Sequence, residues 1–167
     1  MAARSSRIRA AALVLAAPLL SGCMTERSAE GALPSLYLAL ATPWAQVDAP
    51  TARDMISAYR AKTGLAPLVL DPDLQRLAEA EAAAMAAADR PSRAETVKGA
   101  VGRLGFACAE ANLSAGYHTL AEAFSGWRES KGHDAVMRAP EARRMGIATA
   151  YAPNSKYKVY WALLVAR

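Results

Sequence analysis

The sequence has only two cysteines, two histidines and no apolar run long enough to cross a bilayer as a helix. Each shortage removes a class of protein. Two cysteines cannot build the staples of a disulfide scaffold. Histidines at 118 and 133 alone offer little to a zinc site, which takes three or four protein ligands. Aromatic residues make up 7% and are not interleaved with a basic stripe, which argues against a nucleic-acid binder. Charged residues reach only 21% against 53% hydrophobic, which excludes a disordered tail and requires a packed core. No internal repeat is visible, so a stacked-repeat architecture is excluded as well.

What is present begins with an export signal. Arg4, Arg7 and Arg9 precede an apolar run from Ala10 to Leu20, followed by Leu20-Ser21-Gly22-Cys23. This is a basic region, a short hydrophobic region and a lipobox, in which small residues let the Cys23 thiol be alkylated with diacylglycerol before cleavage. The apolar run falls short of the roughly 20 residues that span a membrane, so it reads as a signal rather than an anchor. Residues 1–22 are expected to be removed, 23–50 to tether the mature chain, and 51–167 to fold as one domain. Durable attachment requires more than one acyl chain, as lipidated cysteines provide. Met24 stands at the second mature position where Asp would retain a lipoprotein at the inner membrane, which predicts an outer-membrane anchor facing the periplasm. The formal charge of +5 falls to +2 when the three signal arginines leave, so no nucleic-acid partner is expected. With Cys23 lipidated, Cys108 has no partner and reads as a small buried hydrophobe.

The spacing of apolar residues predicts helices over Thr51 to Thr63, Pro72 to Ala88 and Val97 to Leu104. Asp71 and Pro72 supply the cap and first turn of the second. A strand is expected from Ala107 to Ser114, then a helix after Thr119 with Leu120, Ala123, Phe124 and Trp127 on one face, and a turn or two from Gly132 to Met137. Alternation from Met145 to Tyr151 and from Tyr157 to Val165 around Pro153-Asn154-Ser155-Lys156 predicts a β-hairpin. Helices first and a hairpin last define an α+β layered sandwich with a small antiparallel sheet. Leu36 to Leu40 and Trp44 interrupt the polar tether and are expected to pack on the domain; Trp127, Trp161 and Tyr160 are expected to fill the core.

Several strings, in this order, resemble the bacterial branch of the CAP superfamily of cysteine-rich secretory, antigen 5 and pathogenesis-related (SCP-like) domains. Tyr59-Arg60 with Gly64, and the run from Leu68 to Leu74, are similar to its opening. Asn112-Leu113-Ser114-Ala115-Gly116 resembles its "ENIAAG", and Gly126 to His133 resembles "GWMSSPGHR". Met145-Gly146-Ile147 and Tyr160-Trp161 resemble its last two strands. The resemblance spans Thr51 to Arg167 and implies a three-layer α-β-α sandwich, a surface or secreted location, and a cleft that in several members holds two histidines and two acidic residues able to bind a divalent metal.

Arg93 falls where the resemblance implies the first histidine, and a permanent cation ligates no metal. Ala111 falls where it implies a glutamate, and Glu110, one residue away on a strand, points to the opposite face. The ligand cleft implied by the resemblance thus comprises Arg93, Glu110, Asn112, Trp127, Glu129 and His133, with His133 and Glu129 the candidate catalytic pair, no metal site and no cofactor. His118 reads as a solvent-facing residue at a helix start and Ser130 as a cap or turn residue. Two functions from different classes follow. One is a non-catalytic, membrane-held module binding an apolar small molecule, a lipid or another envelope component; the other is a cell-envelope hydrolase using the degenerate cleft.

Overall fold

A computed structural model describes residues 34–167, and the signal, the lipobox and Cys23 lie outside the described residues. The first helix, α1, spans Ala49–Ala61 and starts two residues earlier than its apolar period suggests. The reason is Asp48, whose carboxylate accepts from the Thr51 N–H (3.1 Å) and hydroxyl (2.7 Å) with Pro50 in the first turn. The two-residue strand β1, Val69–Leu70, leads into α2, Pro72–Ala88, which Asp71 caps through the N–H groups of Asp73 and Leu74. Next come α3, Ala94–Arg103, and β2, Glu110–Ala115. That strand begins later than its hydrophobic pattern predicts. Ala107 does exchange both backbone bonds with Arg167, but Cys108 takes a left-handed φ of 50°, which breaks the extended chain. The same kink leaves Cys108 exposed rather than buried, correcting the expectation from sequence.

Thr119 caps α4, Leu120–Glu129, while the Glu122 carboxylate takes the N–H of His118 at 2.7 Å, leaving His118 on the surface. Ser130 stands at the N-cap of α5, Lys131–Met137. The hairpin of β3, Arg144–Tyr151, and β4, Val159–Ala166, completes the chain. The sheet runs β1-β3-β4-β2, antiparallel except where β1 lies parallel to the start of β3.

Because β4 is buried on both faces, its odd and even residues fill two different cores. Val159, Trp161, Leu163 and Val165 pack with Ile56 of α1, Leu120 and Trp127 of α4 and Met137 of α5. Tyr160, Ala162, Leu164 and Ala166 pack with Leu74, Ala78 and Met85 of α2 and Val97 of α3. The result is an α-β-α sandwich with α1, α4 and α5 on one face and α2 and α3 on the other. Residues 34–48 lie along this domain: Leu40 is buried and its N–H bonds the His118 carbonyl at 2.8 Å. Tyr37 and Leu38 stay exposed, against the expectation that they pack, and Trp44 does not join the packing either. It stands 93% exposed.

Candidate functional site

Alternation along β2 decides which of the implied cleft residues meet. Ala111 points to the α2 and α3 side, where it joins the second core. Asn112 and Ser114 point the other way, toward α4 and α5. Asn112 is fully buried and grips His133 twice: its Nδ2 donates to the His133 carbonyl at 3.0 Å, and its Oδ1 lies 2.9 Å from His133 Nδ1. With Nδ2 used as the donor, Oδ1 must accept, so His133 carries its proton on Nδ1 and keeps Nε2 bare. Burial pushes the His133 pKa below its ordinary value. The neutral ring therefore joins α5 to the edge of the sheet.

The other candidates lie elsewhere. Trp127 is fully buried, donates its indole N–H to the Ser114 hydroxyl at 3.1 Å and stacks edge-to-face on Trp161 at 5.7 Å. It is core, not cleft wall. Glu129, the other half of the candidate pair, does not share its face: two residues on a helix are about 200° apart, and Glu129 stands exposed with no ion-pair partner among the described residues. Glu110 has the parity of Asn112, yet its carboxylate reaches Lys98 on α3 at 3.2 Å. Arg93 is the exposed N-cap of α3 and borders a hollow with Glu81 and Arg90 at the end of α2. No hydrogen bond among the described residues joins Ser130 or Cys108 to His133, so neither forms a nucleophile and base pair.

A divalent metal does not fit these residues. Arginine and alanine occupy two of the implied ligand positions, and among the described residues no group of three or more His, Cys, Asp or Glu side chains converges.

Two polar clusters that tie α1 to α5 escaped sequence reasoning. Tyr59 of α1 donates to Asp134 of α5 at 2.7 Å, and Asp134 also pairs with Arg138, one helical turn on. That contact raises the Tyr59 pKa, the carboxylate hydrogen bond first and burial second. Arg60, fully buried, donates to the carbonyls of Ala66, Met137, Ala139 and Ala142 at 2.8 to 3.0 Å. The available signal was its place four residues after Ile56, on the buried stripe of α1.

The three-layer arrangement defines the class, an α-β-α sandwich whose sheet is centred on a C-terminal hairpin. The model of the CAP, or cysteine-rich secretory protein, family matches residues 53–165, and the chain belongs to that family. Among solved structures the chain is similar to an extracellular SCP-domain protein of Bacillus anthracis (18% identity, TM-score 0.59) and to a cysteine-rich secretory protein of Staphylococcus aureus (15%, 0.57). Each match takes in 71% of this chain but only 40% and 39% of those longer ones, so the chain spans about two fifths of their length. It is also similar to an outer surface protein of Borrelia burgdorferi at 15% identity and TM-score 0.61, covering 71% of this chain and 90% of that one. At such identities the likeness shows the fold alone. No match was found among curated proteins.

His133→Ala leaves Asn112 Oδ1 buried without a donor, at an expected loss of about 1 to 3 kcal/mol in unfolding free energy. The wild-type loss should depend on pH. Since the folded pKa of His133 lies below the unfolded value of about 6.5, the unfolded chain binds more protons between the two values. The contribution is complete above the unfolded value and is lost as pH falls through the folded one. Urea midpoints taken from neutral pH downward should show this decline in wild type and a shallower one in the variant. Parallel curves would contradict the clamp.

Proposed function

We propose that this chain is a membrane-anchored, non-catalytic CAP-domain lipoprotein that binds an apolar small molecule, a lipid or another component of the cell envelope. The observation that carries the non-catalytic reading is the way Asn112 holds His133. The one histidine that the family resemblance places in the cleft is clamped to the sheet edge, and no nucleophile, metal cluster or second histidine joins it among the described residues. A general base needs an acid, a nucleophile or a bound water set against it by a fixed geometry, and the neighbours of His133 supply structure instead.

The anchor rests on the lipobox at Leu20-Ser21-Gly22-Cys23, and Met24 favours the outer membrane, with the domain facing the periplasm. Two further observations support an envelope location. The similar solved structures include extracellular and outer surface proteins. Residues 31–47 carry no charged side chain, and within them Tyr37, Leu38 and Trp44 are exposed, a composition suited to lying near a bilayer interface. No helix of the described residues is long and apolar enough to cross a membrane.

Detergent partitioning tests the anchor. Wild type should enter the detergent phase, and Cys23→Ala should remain as an uncut precursor or appear in the aqueous phase. Equal partitioning of the two after signal removal would overturn the lipoprotein reading. The His133→Ala chain serves the other half of the proposal: neither it nor wild type should turn over peptide or muropeptide substrates. A wild-type rate abolished by this substitution at unchanged stability would establish the hydrolase instead.

A further inference from the structure

The β3 edge of the sheet is open over most of its length, and its polar groups follow a strict parity. Strand β1 covers β3 only at Arg144 and Met145, so from Gly146 onward β3 is an edge strand. The Met145 carbonyl faces β1, where it accepts from Asp71. By alternation the backbone groups of Ile147, Thr149 and Tyr151 also face outward, while those of Ala148 and Ala150 face β4. At Ile147 the edge is already paired by a side chain. The amide of Gln75, on α2, accepts from the Ile147 N–H at 3.1 Å and donates to its carbonyl at 2.9 Å, as a peptide group of a neighbouring strand would. The ladder then stops. No described group bonds the backbone N–H or carbonyl of Thr149 or Tyr151.

These unpaired groups lie in a slot. On one face of the sheet Val47 closes over the edge, its N–H bonded to the Thr149 hydroxyl at 3.2 Å. On the other face stands α2. Two hollows of about 400 and 530 Å³ share Ala83, Ala150 and Tyr151 and so run together along the edge. Small side chains of α2 leave this space, and the only charged residues lining either hollow are Glu79 and Asp89.

We propose that the β3 edge at Thr149 and Tyr151 is a docking slot for an extended peptide segment bearing lysine or arginine, which adds to the sheet as one more strand. Thr149 and Tyr151 together present two N–H donors and two carbonyl acceptors, the means by which strand addition holds a peptide, while alternate side chains are read by the walls. A second copy of this chain does not fit. Its own β3 would arrive with layers packed on both faces, and the slot admits a single strand between Val47 and α2. The acidic lining selects a basic peptide over an acidic one. This site is separate from the His133 side of the molecule and does not rest on the anchor at Cys23.

The test uses the unlipidated chain from Met24, so a failed anchor leaves it intact. A ¹⁵N-labelled sample is titrated with a short peptide of alternating lysine and valine, with its glutamate and valine counterpart, and with two lysine peptides N-methylated at alternate backbone positions. The lysine peptide should shift the Thr149 and Tyr151 amides and slow their hydrogen exchange by roughly tenfold or more. Ala148 and Ala150, already bonded to β4, should gain no protection. One N-methylated isomer should retain binding and the other lose it, because only one parity of the peptide backbone faces β3. Tyr151→Pro removes an outward N–H at an edge position that tolerates proline, spares the Thr149 hydroxyl that holds Val47, and should abolish the Thr149 shift while leaving the fold intact. The proposal fails if Thr149 and Tyr151 do not respond at millimolar peptide, if both methylated isomers bind alike, or if the glutamate peptide binds as well as the lysine one.

Discussion

Arg60→Met is expected to destabilise the domain by on the order of 3 to 5 kcal/mol, a large share of the roughly 5 to 15 kcal/mol that holds a typical domain folded. The guanidinium uses four N–H groups on four carbonyls from three places in the chain. Ala66 lies in the loop after α1, Met137 at the end of α5, and Ala139 and Ala142 in the connection to β3. No carboxylate lies within ion-pair distance of Arg60 among the described residues, so carbonyl dipoles offset the charge. The C-terminal end of α5 adds the negative end of a helix dipole. Burial pulls the Arg60 pKa down from its ordinary value, with the Arg143 charge a smaller cause in the same direction. Removing the fork leaves the Ala66 and Met137 carbonyls without a donor, the more costly side of a broken hydrogen bond, and leaves those of Ala139 and Ala142 only the Ala142 N–H and the Arg143 guanidinium. Arg60→Lys keeps the charge but replaces a planar fork with a point donor, and should fall between the two. Urea denaturation measures all three. A methionine variant within about 1 kcal/mol of wild type would show that the carbonyls find other partners.

Gly146→Ala should produce the second large effect, at or beyond the upper end of the roughly 1 to 3 kcal/mol typical of overpacking. A Cβ at this position would lie 2.3 Å from the carbonyl carbon and oxygen of Leu74 and 2.5 Å from the backbone nitrogen of Gln75. These are helix backbone atoms, and they cannot rotate away as the end of a side chain would. The methyl must lift the first turns of α2 from β3, which also withdraws the Gln75 amide that brackets Ile147. Gly102→Ala is the matched control. It lies in α3 with open space around the added carbon, and should gain about 0.5 to 1 kcal/mol from the lower backbone entropy of alanine. Thermal midpoints moving in opposite directions are the expected result; a neutral Gly146→Ala would show that α2 can slide on the sheet without loss.

Much of the architecture was legible in the residue order. Asp71-Pro72 marks the start of α2, and the alternation flanking Pro153 to Lys156 marks the hairpin, because caps, turns and periodicity act over a few residues and leave local traces. The three-layer arrangement is what the family resemblance implied, and the helices on both faces of the sheet show it, as do the similar solved structures. The boundaries of α3 and β2 were less legible, since Arg93 caps α3 without a side-chain bond and the left-handed turn at Cys108 carries no glycine to announce it.

The sequence by itself determined a packed domain, its periodic helices and its terminal hairpin, and the family resemblance implied that Arg93 and Ala111 stand where a histidine and a glutamate would be. Only the tertiary structure decided what the remaining polar residues do. Asn112 and His133 are 21 residues apart, Gln75 and Ile147 are 72 apart, and Arg60 gathers carbonyls up to 82 positions away. Local pattern fixes which face a side chain presents, but not what the chain brings to meet it. That is settled by the strand order β1-β3-β4-β2, which leaves β3 open along one edge and sets α2 beside it.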